Sequence, residues 1–87
     1  MNLLKSKMNL YIYPEATVDY WPQIKTVFAK SYNDAVEKVI KNYATQLGDD
    51  TILDFENYQD FCDYLNDEYT IALGDLIDSD TLSMDDL

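Results

Sequence analysis

From Asp49 to Leu87 the sequence holds thirteen aspartates and glutamates and not one lysine, arginine or histidine. A fold built on this segment must leave most of those carboxylates in water, because the segment brings no cation to pair with them and an unpaired buried charge is prohibitive. The first 48 residues differ: six lysines against four acids (Glu15, Asp19, Asp34 and Glu37) leave them at +2, so the net charge of −11 is segregated along the chain. Self-repulsion of this kind weakens a compact state. The apolar content is nonetheless that of a folded body, with 47% hydrophobic residues, eight tyrosines, two glycines and two prolines. A chain of 87 residues fits one domain, which at this size buries roughly 60 per cent of the surface exposed by its unfolded chain.

The absent residue types exclude much chemistry. Without histidine or arginine the chain lacks the commonest general base, the commonest zinc ligand and the bidentate phosphate clamp. No catalytic residue, metal site or cofactor is expected. Cys62 falls in an apolar stripe and reads as core rather than nucleophile. An EF-hand starting at Asp78 is excluded, because Leu82 and Ser83 stand at its fifth and sixth positions and the chain stops before its twelfth. A lone cysteine, no secretory signal and no apolar span of about 20 residues make the cytoplasm the expected compartment, with no membrane partner. Direct nucleic-acid binding is disfavoured, since only Lys25, Lys30, Lys38 and Lys41 lie in the expected body.

Periodicity predicts an α+β domain: a small three-stranded antiparallel sheet packed with two helices in the order β-β-α-α-β. Met1-Asn2-Leu3 recurs as Met8-Asn9-Leu10, so residues 1–7 read as an ill-ordered leader, residues 8–77 as the domain and residues 78–87 as an acidic tail. Met8, Leu10 and Ile12 alternate with Asn9, Tyr11 and Tyr13, the period of a half-buried strand that ends where Pro14 removes a donor. Ile24, Thr26 and Phe28 alternate with Lys25, Val27 and Ala29 in a second strand, and the two form an antiparallel hairpin. Ser31 as N-cap and Gly48 as stop predict a helix over 32–47 with the stripe Tyr32, Val36, Val39, Ile40, Tyr43 and Leu47. Its acids balance its lysines at i,i+4, Asp34 with Lys38 and Glu37 with Lys41. A second helix starts after Asp54 or Asn57 and ends near Asp67, burying Phe55, Tyr58, Phe61, Cys62 and Leu65. A third strand follows through Tyr69, Ile71 and Leu73, extending past Gly74 to Leu76 or Ile77.

On the second helix Glu56, Asp60, Asp63 and Asp67 fall within an arc of about 60°, opposite the apolar stripe. Four carboxylates over about 16 Å have a linear density of the same order as the phosphates of one DNA strand, which advance about 3.4 Å each. Such a ladder suits a groove lined by lysine and arginine. Tyr64 borders the acidic arc and supplies an aromatic contact, while Asp78 and Asp80 extend the negative surface. The expected partner-binding residues are therefore Glu56, Asp60, Asp63, Tyr64, Asp67, Asp78 and Asp80.

With its clustered Asp, Glu and Tyr from Asp49 to Leu87 and no arginine, this small chain resembles the phage-encoded anti-CRISPR and anti-restriction proteins that mimic DNA. The resemblance lies in size and composition. It implies an inhibitor that blocks the DNA-binding surface of a basic, nucleic-acid-binding protein, such as a Cas effector or a restriction enzyme, in the cytoplasm of a host cell. The residues alone also allow a small acidic adaptor or antitoxin-like regulator that binds a basic protein without mimicking nucleic acid.

Overall fold

A computed structural model of the chain describes residues 8–81. Its first two elements form the expected antiparallel hairpin, β1 (Asn9–Thr17) and β2 (Tyr20–Ala29), with Leu10 opposite Phe28 and Tyr13 opposite Lys25. Helix α1 (Tyr32–Leu47) follows, then a 3-10 turn at Asp50–Asp54, helix α2 (Tyr58–Tyr69), and two short strands, β3 (Ile71–Leu73) and β4 (Ile77–Asp78). A final 3-10 turn covers Ser79–Thr81. The α+β class stands, with a correction: the sheet has four strands, and two of them follow the helices. β1 is central, flanked on one side by β2 and on the other by β3 and β4, which pair antiparallel with its far and near ends.

Pro14 explains both the added strand and the greater length of β1. The Pro14 carbonyl accepts from the Gly74 amide at 2.9 Å, so the missing proline N–H faces the same side of the strand. There the chain runs through Gly74–Leu76, between β3 and β4, and no ladder bond is lost. β1 therefore continues through the proline instead of ending before it. The approach is close: a Cβ on Gly74 would stand 2.3 Å from Pro14 Cγ. Glycine is required there by space. The expected single third strand is thus split into β3 and β4, with Tyr69 closing α2. Asp78, taken from sequence as the start of a tail, is part of the sheet, opposite Tyr11. The leader 1–7 and the tail beyond Thr81 lie outside the described residues.

The strands alternate as expected, but the buried face is the tyrosine face. Tyr11, Tyr13 and Ala29 are buried, while Phe28 and Ile24 are 61% and 65% exposed. α1 and α2 lie against the tyrosine side, and their contacts make an aromatic core: Tyr13 meets Tyr43 edge-on at 6.5 Å, and Tyr43 meets Phe61 at 5.9 Å. The hydroxyls that burial would orphan have partners, since Tyr43 donates to the Glu15 carboxylate and Tyr58 donates to the Gly74 carbonyl at 2.7 Å. Burial pushes both phenols well above the usual tyrosine pKa.

α1 has the predicted bounds. Ser31 Oγ accepts the Asp34 amide at 3.1 Å, and Gly48, at φ 65°, ends the helix in the left-handed region. Its inward stripe is Ala35, Val36, Val39, Ile40, Tyr43 and Ala44. Tyr32, expected inside, stands in the first turn and is 47% exposed, whereas Ala35 and Ala44, outside the expected stripe, are buried. Among the described residues no helix is long and apolar enough to cross a membrane.

Candidate recognition surface

α2 is held to the core by Phe61, Cys62 and Leu65, all buried. Asn57 caps it, its side chain accepting the Asp60 amide at 3.1 Å, so the later of the two sequence caps starts the helix. Asp60, Asp63 and Asp67 consequently lie on its exposed side, spread over about 10 Å at 1.5 Å per residue. Glu56 is also exposed but precedes the cap. The expected four-carboxylate helical ladder is three carboxylates on the helix and one in the connection before it. Glu56 instead borders an open cleft with Asn57, Tyr58 and Asp75, a grouping for which the sequence held no local signal.

None of these acids is neutralised within the described residues. The ion pairs found there are Lys25–Glu15 at 3.7 Å, Lys38–Asp34 at 3.5 Å and Lys41–Glu37 at 3.6 Å, all inside the first half of the chain. Asp63 accepts from Gln59 Nε2 at 3.0 Å, a neutral contact that fixes its position. Asp67 and Glu68 stand in the last turn of α2, where the macrodipole places partial negative charge and where a cation is preferred. The last turn contains no basic residue.

The other expected contact residues have work inside the fold. Tyr64 is half-buried, and its hydroxyl donates to Asp49 Oδ2 at 2.7 Å; the Tyr69 hydroxyl donates to the same oxygen at 2.7 Å, and the Thr51 amide to Oδ1 at 3.0 Å. These bonds to Tyr64 and Tyr69 hold the Asp49 carboxyl below the usual carboxylate range, and the bond to Asp49 pushes the Tyr64 phenol up to about 12. Asp78 is half-buried; it accepts from Asn9 Nδ2 at 3.1 Å and from the Asp80 amide at 3.0 Å. Asp80 is exposed. The structure thus brings Asp60, Asp63 and Asp67 onto one face, and assigns Tyr64 and Asp78 to internal hydrogen bonds.

Two further features bear on chemistry. Burial raises the Cys62 thiol to about 11, which disfavours the thiolate. Among the described residues, no group of three or more His, Cys, Asp or Glu side chains is arranged to hold a metal ion. The sequence matches no family model, no curated protein and no solved structure.

Proposed function

We propose that this chain is an acidic inhibitor that binds a basic, nucleic-acid-binding protein and occupies its nucleic-acid groove, with the carboxylates of α2 standing in for phosphates. A Cas effector nuclease or a restriction enzyme is the kind of target intended, and the host cytoplasm the setting. The observation that carries the reading is the outer side of α2: Asp60, Asp63 and Asp67 are aligned and exposed, with no ion-pair partner among the described residues, and the last of them opposes the helix dipole. That arrangement works against the fold's own stability. A groove lined by lysine and arginine would relieve it and release the counterions of both surfaces. Successive carboxylates advance about 4.5 and 6 Å along the axis, against about 3.4 Å per phosphate in a DNA strand, so they imitate a sparse phosphate row.

The test is competition. The chain is expected to displace duplex DNA from the target in a mobility-shift assay, and the triple variant Asp60→Asn, Asp63→Asn, Asp67→Asn to weaken the effect by about tenfold or more, as losing three charged contacts of roughly 0.5 kcal/mol each requires. Circular dichroism checks that the variant folds. Retained inhibition by the folded triple variant refutes the role of α2. Binding to a target still loaded with DNA supports instead the acidic adaptor or antitoxin-like regulator.

A further inference from the structure

The side of the hairpin that faces the helices changes character along its length. At the start of β1 it consists of Tyr11 and Tyr13, buried with Ala29 in the core. Toward the turn it becomes Glu15 and Thr17 on β1, with Gln23 and Lys25 on β2. A sheet face packed on helices is ordinarily apolar throughout. Here the polar end is incompletely covered, and two clefts of about 300 and 420 Å³ open over it. Glu15 and Gln46 line both, so the clefts form one trough between the hairpin and the last turns of α1. From Thr17 to Tyr13 it follows four residues of β1, about 14 Å. Volumes of this size belong to small-molecule sites.

A β-bulge places two aromatic rings at the outer end of this trough. Glu15 lies opposite Gln23 and Thr17 opposite Tyr20, so β2 has one residue more than β1 between the two pairs. In regular alternation Tyr20, three residues from Gln23, would face away from the helices; the extra residue reverses it and puts Tyr20 on the side of Thr17. Trp21 falls within the bulge. Both aromatic residues line the cleft, and they are 73% and 89% exposed. At the same end Thr17 Oγ1 is buried, the one buried side-chain oxygen or nitrogen among the described residues that has no hydrogen-bond partner there. A hydroxyl left so costs stability, and its retention calls for a role.

We infer that the trough is a binding site for a neutral saccharide. Charge selects against ionic ligands. Among the described residues Glu15 is the one carboxylate lining it, and that carboxylate is answered by Lys25 at 3.7 Å and by the Tyr43 hydroxyl. A phosphate-bearing ligand therefore meets no uncommitted cation, and a cationic ligand finds stronger attraction elsewhere on a chain of net charge −11. What the trough offers is flat apolar rings beside uncharged groups that donate and accept: the amides of Gln23, Asn42 and Gln46 and the hydroxyl of Thr45. A pyranose ring complements both, laying its C–H face on the indole or the phenol and turning its hydroxyls to the amides. Thr17 Oγ1 is covered in the free chain, and a sugar hydroxyl reaches it when the exposed side chains around it rotate. The site is independent of the proposed function, since Asp60, Asp63 and Asp67 line neither cleft.

Trp21 is the only tryptophan of the chain, so its fluorescence reports on this site alone. The full chain is titrated to about 50 mM with glucose, galactose, mannose and N-acetylglucosamine, and with maltose, cellobiose, lactose and chitobiose; sorbitol, glucose 6-phosphate and choline are the controls. A single ring has few atoms with which to make contacts, so a saturable change with a dissociation constant of about 1 mM is expected for at least one sugar, and tighter binding for its two-ring form. NMR shifts should centre on Thr17, Trp21, Gln23 and Gln46, a readout that needs no variant. Gln23→Ala with Gln46→Ala, both at exposed positions, should weaken binding by about fivefold or more with the circular dichroism unchanged. The triple variant of α2 should bind sugar as the parent chain does. No saturable response to any of these sugars overturns the inference. So does an equal response to sorbitol, tighter binding of glucose 6-phosphate or choline, undiminished affinity in the folded double variant, or shifts that fall outside the trough.

Discussion

α1 and α2 begin alike. Ser31 and Asn57 each accept, at 3.1 Å, the amide of the aspartate three residues on, Asp34 and Asp60, and each helix stops at a left-handed residue, Gly48 or Thr70. They diverge in what covers the outside. α1 answers its exposed acids with Lys38 and Lys41 one turn later and ends on the uncharged run Ala44-Thr45-Gln46-Leu47. α2 has no lysine, carries Asp67 and Glu68 in its last turn, and places a β-branched threonine at φ 56° where α1 has glycine. Local rules that stabilise one helix are set aside in the other, and the departures gather at one end and one side of α2. A helix so finished is held by its packing.

The largest test of that contrast removes the packing. Phe61→Ala deletes a fully buried ring that meets both Tyr43 and Tyr58, and a loss of about 3 to 5 kcal/mol is expected in urea unfolding. Asp60→Asn and Asp63→Asn on the opposite side should each change stability by less than about 0.5 kcal/mol. If the two classes of variant cost similar amounts, α2 is not anchored by its apolar stripe alone.

Exchanging the helix ends is the next test. Thr70→Gly relieves a left-handed conformation that costs an L-residue roughly 1 to 2 kcal/mol, and should stabilise the chain by about 1 kcal/mol. Gly48→Ala should destabilise it by a similar amount, although nothing lies within 4 Å of the added methyl, because the penalty is in the backbone. Thermal unfolding of the two variants measures both, and equal signs would contradict the assignment.

These helix ends also show which parts of the molecule are written locally. Ser31, Asp34 and Gly48 are short-range signals, and they define α1 to the residue. The co-facial placement of Asp60, Asp63 and Asp67 follows from helical periodicity in the same way. Glu56 shares that periodicity but precedes the helix, because Asn57 and not Asp54 supplies the cap; both are good caps, and only the intervening 3-10 turn decides between them. The buried face of the hairpin was not legible: the set facing the helices includes Asn9, Glu15, Gln23 and Lys25 and is the more polar of the two, so the packing of the helices and not the alternation determines which set is covered. The reach of β1 through Pro14 depends on a gap between strands some 60 residues later. Tyr64 reads as a surface aromatic until Asp49, which lies 15 residues earlier, takes its hydroxyl.

That carboxylate joins the two helices, following the end of α1 and accepting from two tyrosines of α2, and it makes their association pH-dependent. Asp49 has a lowered pKa in the fold, so its contribution is fully present above the unfolded value of about 3.9 and is lost as pH falls through the folded value. Tyr64 is raised to about 12, so its contribution is present below the unfolded value of about 10 and is lost as pH climbs toward 12. Asp49→Asn should flatten both limbs of a plot of melting temperature against pH, and bring the tyrosinate titration of Tyr64 back toward pH 10. Unchanged limbs in the variant would show that other groups dominate both ends of the profile.

The smallest expected effect bears on the acidic face itself. Asp67 opposes the dipole at the end of α2, so Asp67→Asn should stabilise the chain by a few tenths of a kcal/mol in low salt, and the gain should vanish near 1 M salt, where the Debye length falls to about 3 Å. Lys41→Gln on α1 should do the reverse, losing a few tenths with the Glu37 pair and losing less as salt rises. The two substitutions thus have opposite signs at low ionic strength and converge at high, which a melting series across salt concentration resolves. Should Asp67→Asn be destabilising instead, the aspartate would be answering a cation from within the chain. The outer side of α2 would then be balanced like that of α1, and the case for an external cationic partner would lose its physical basis.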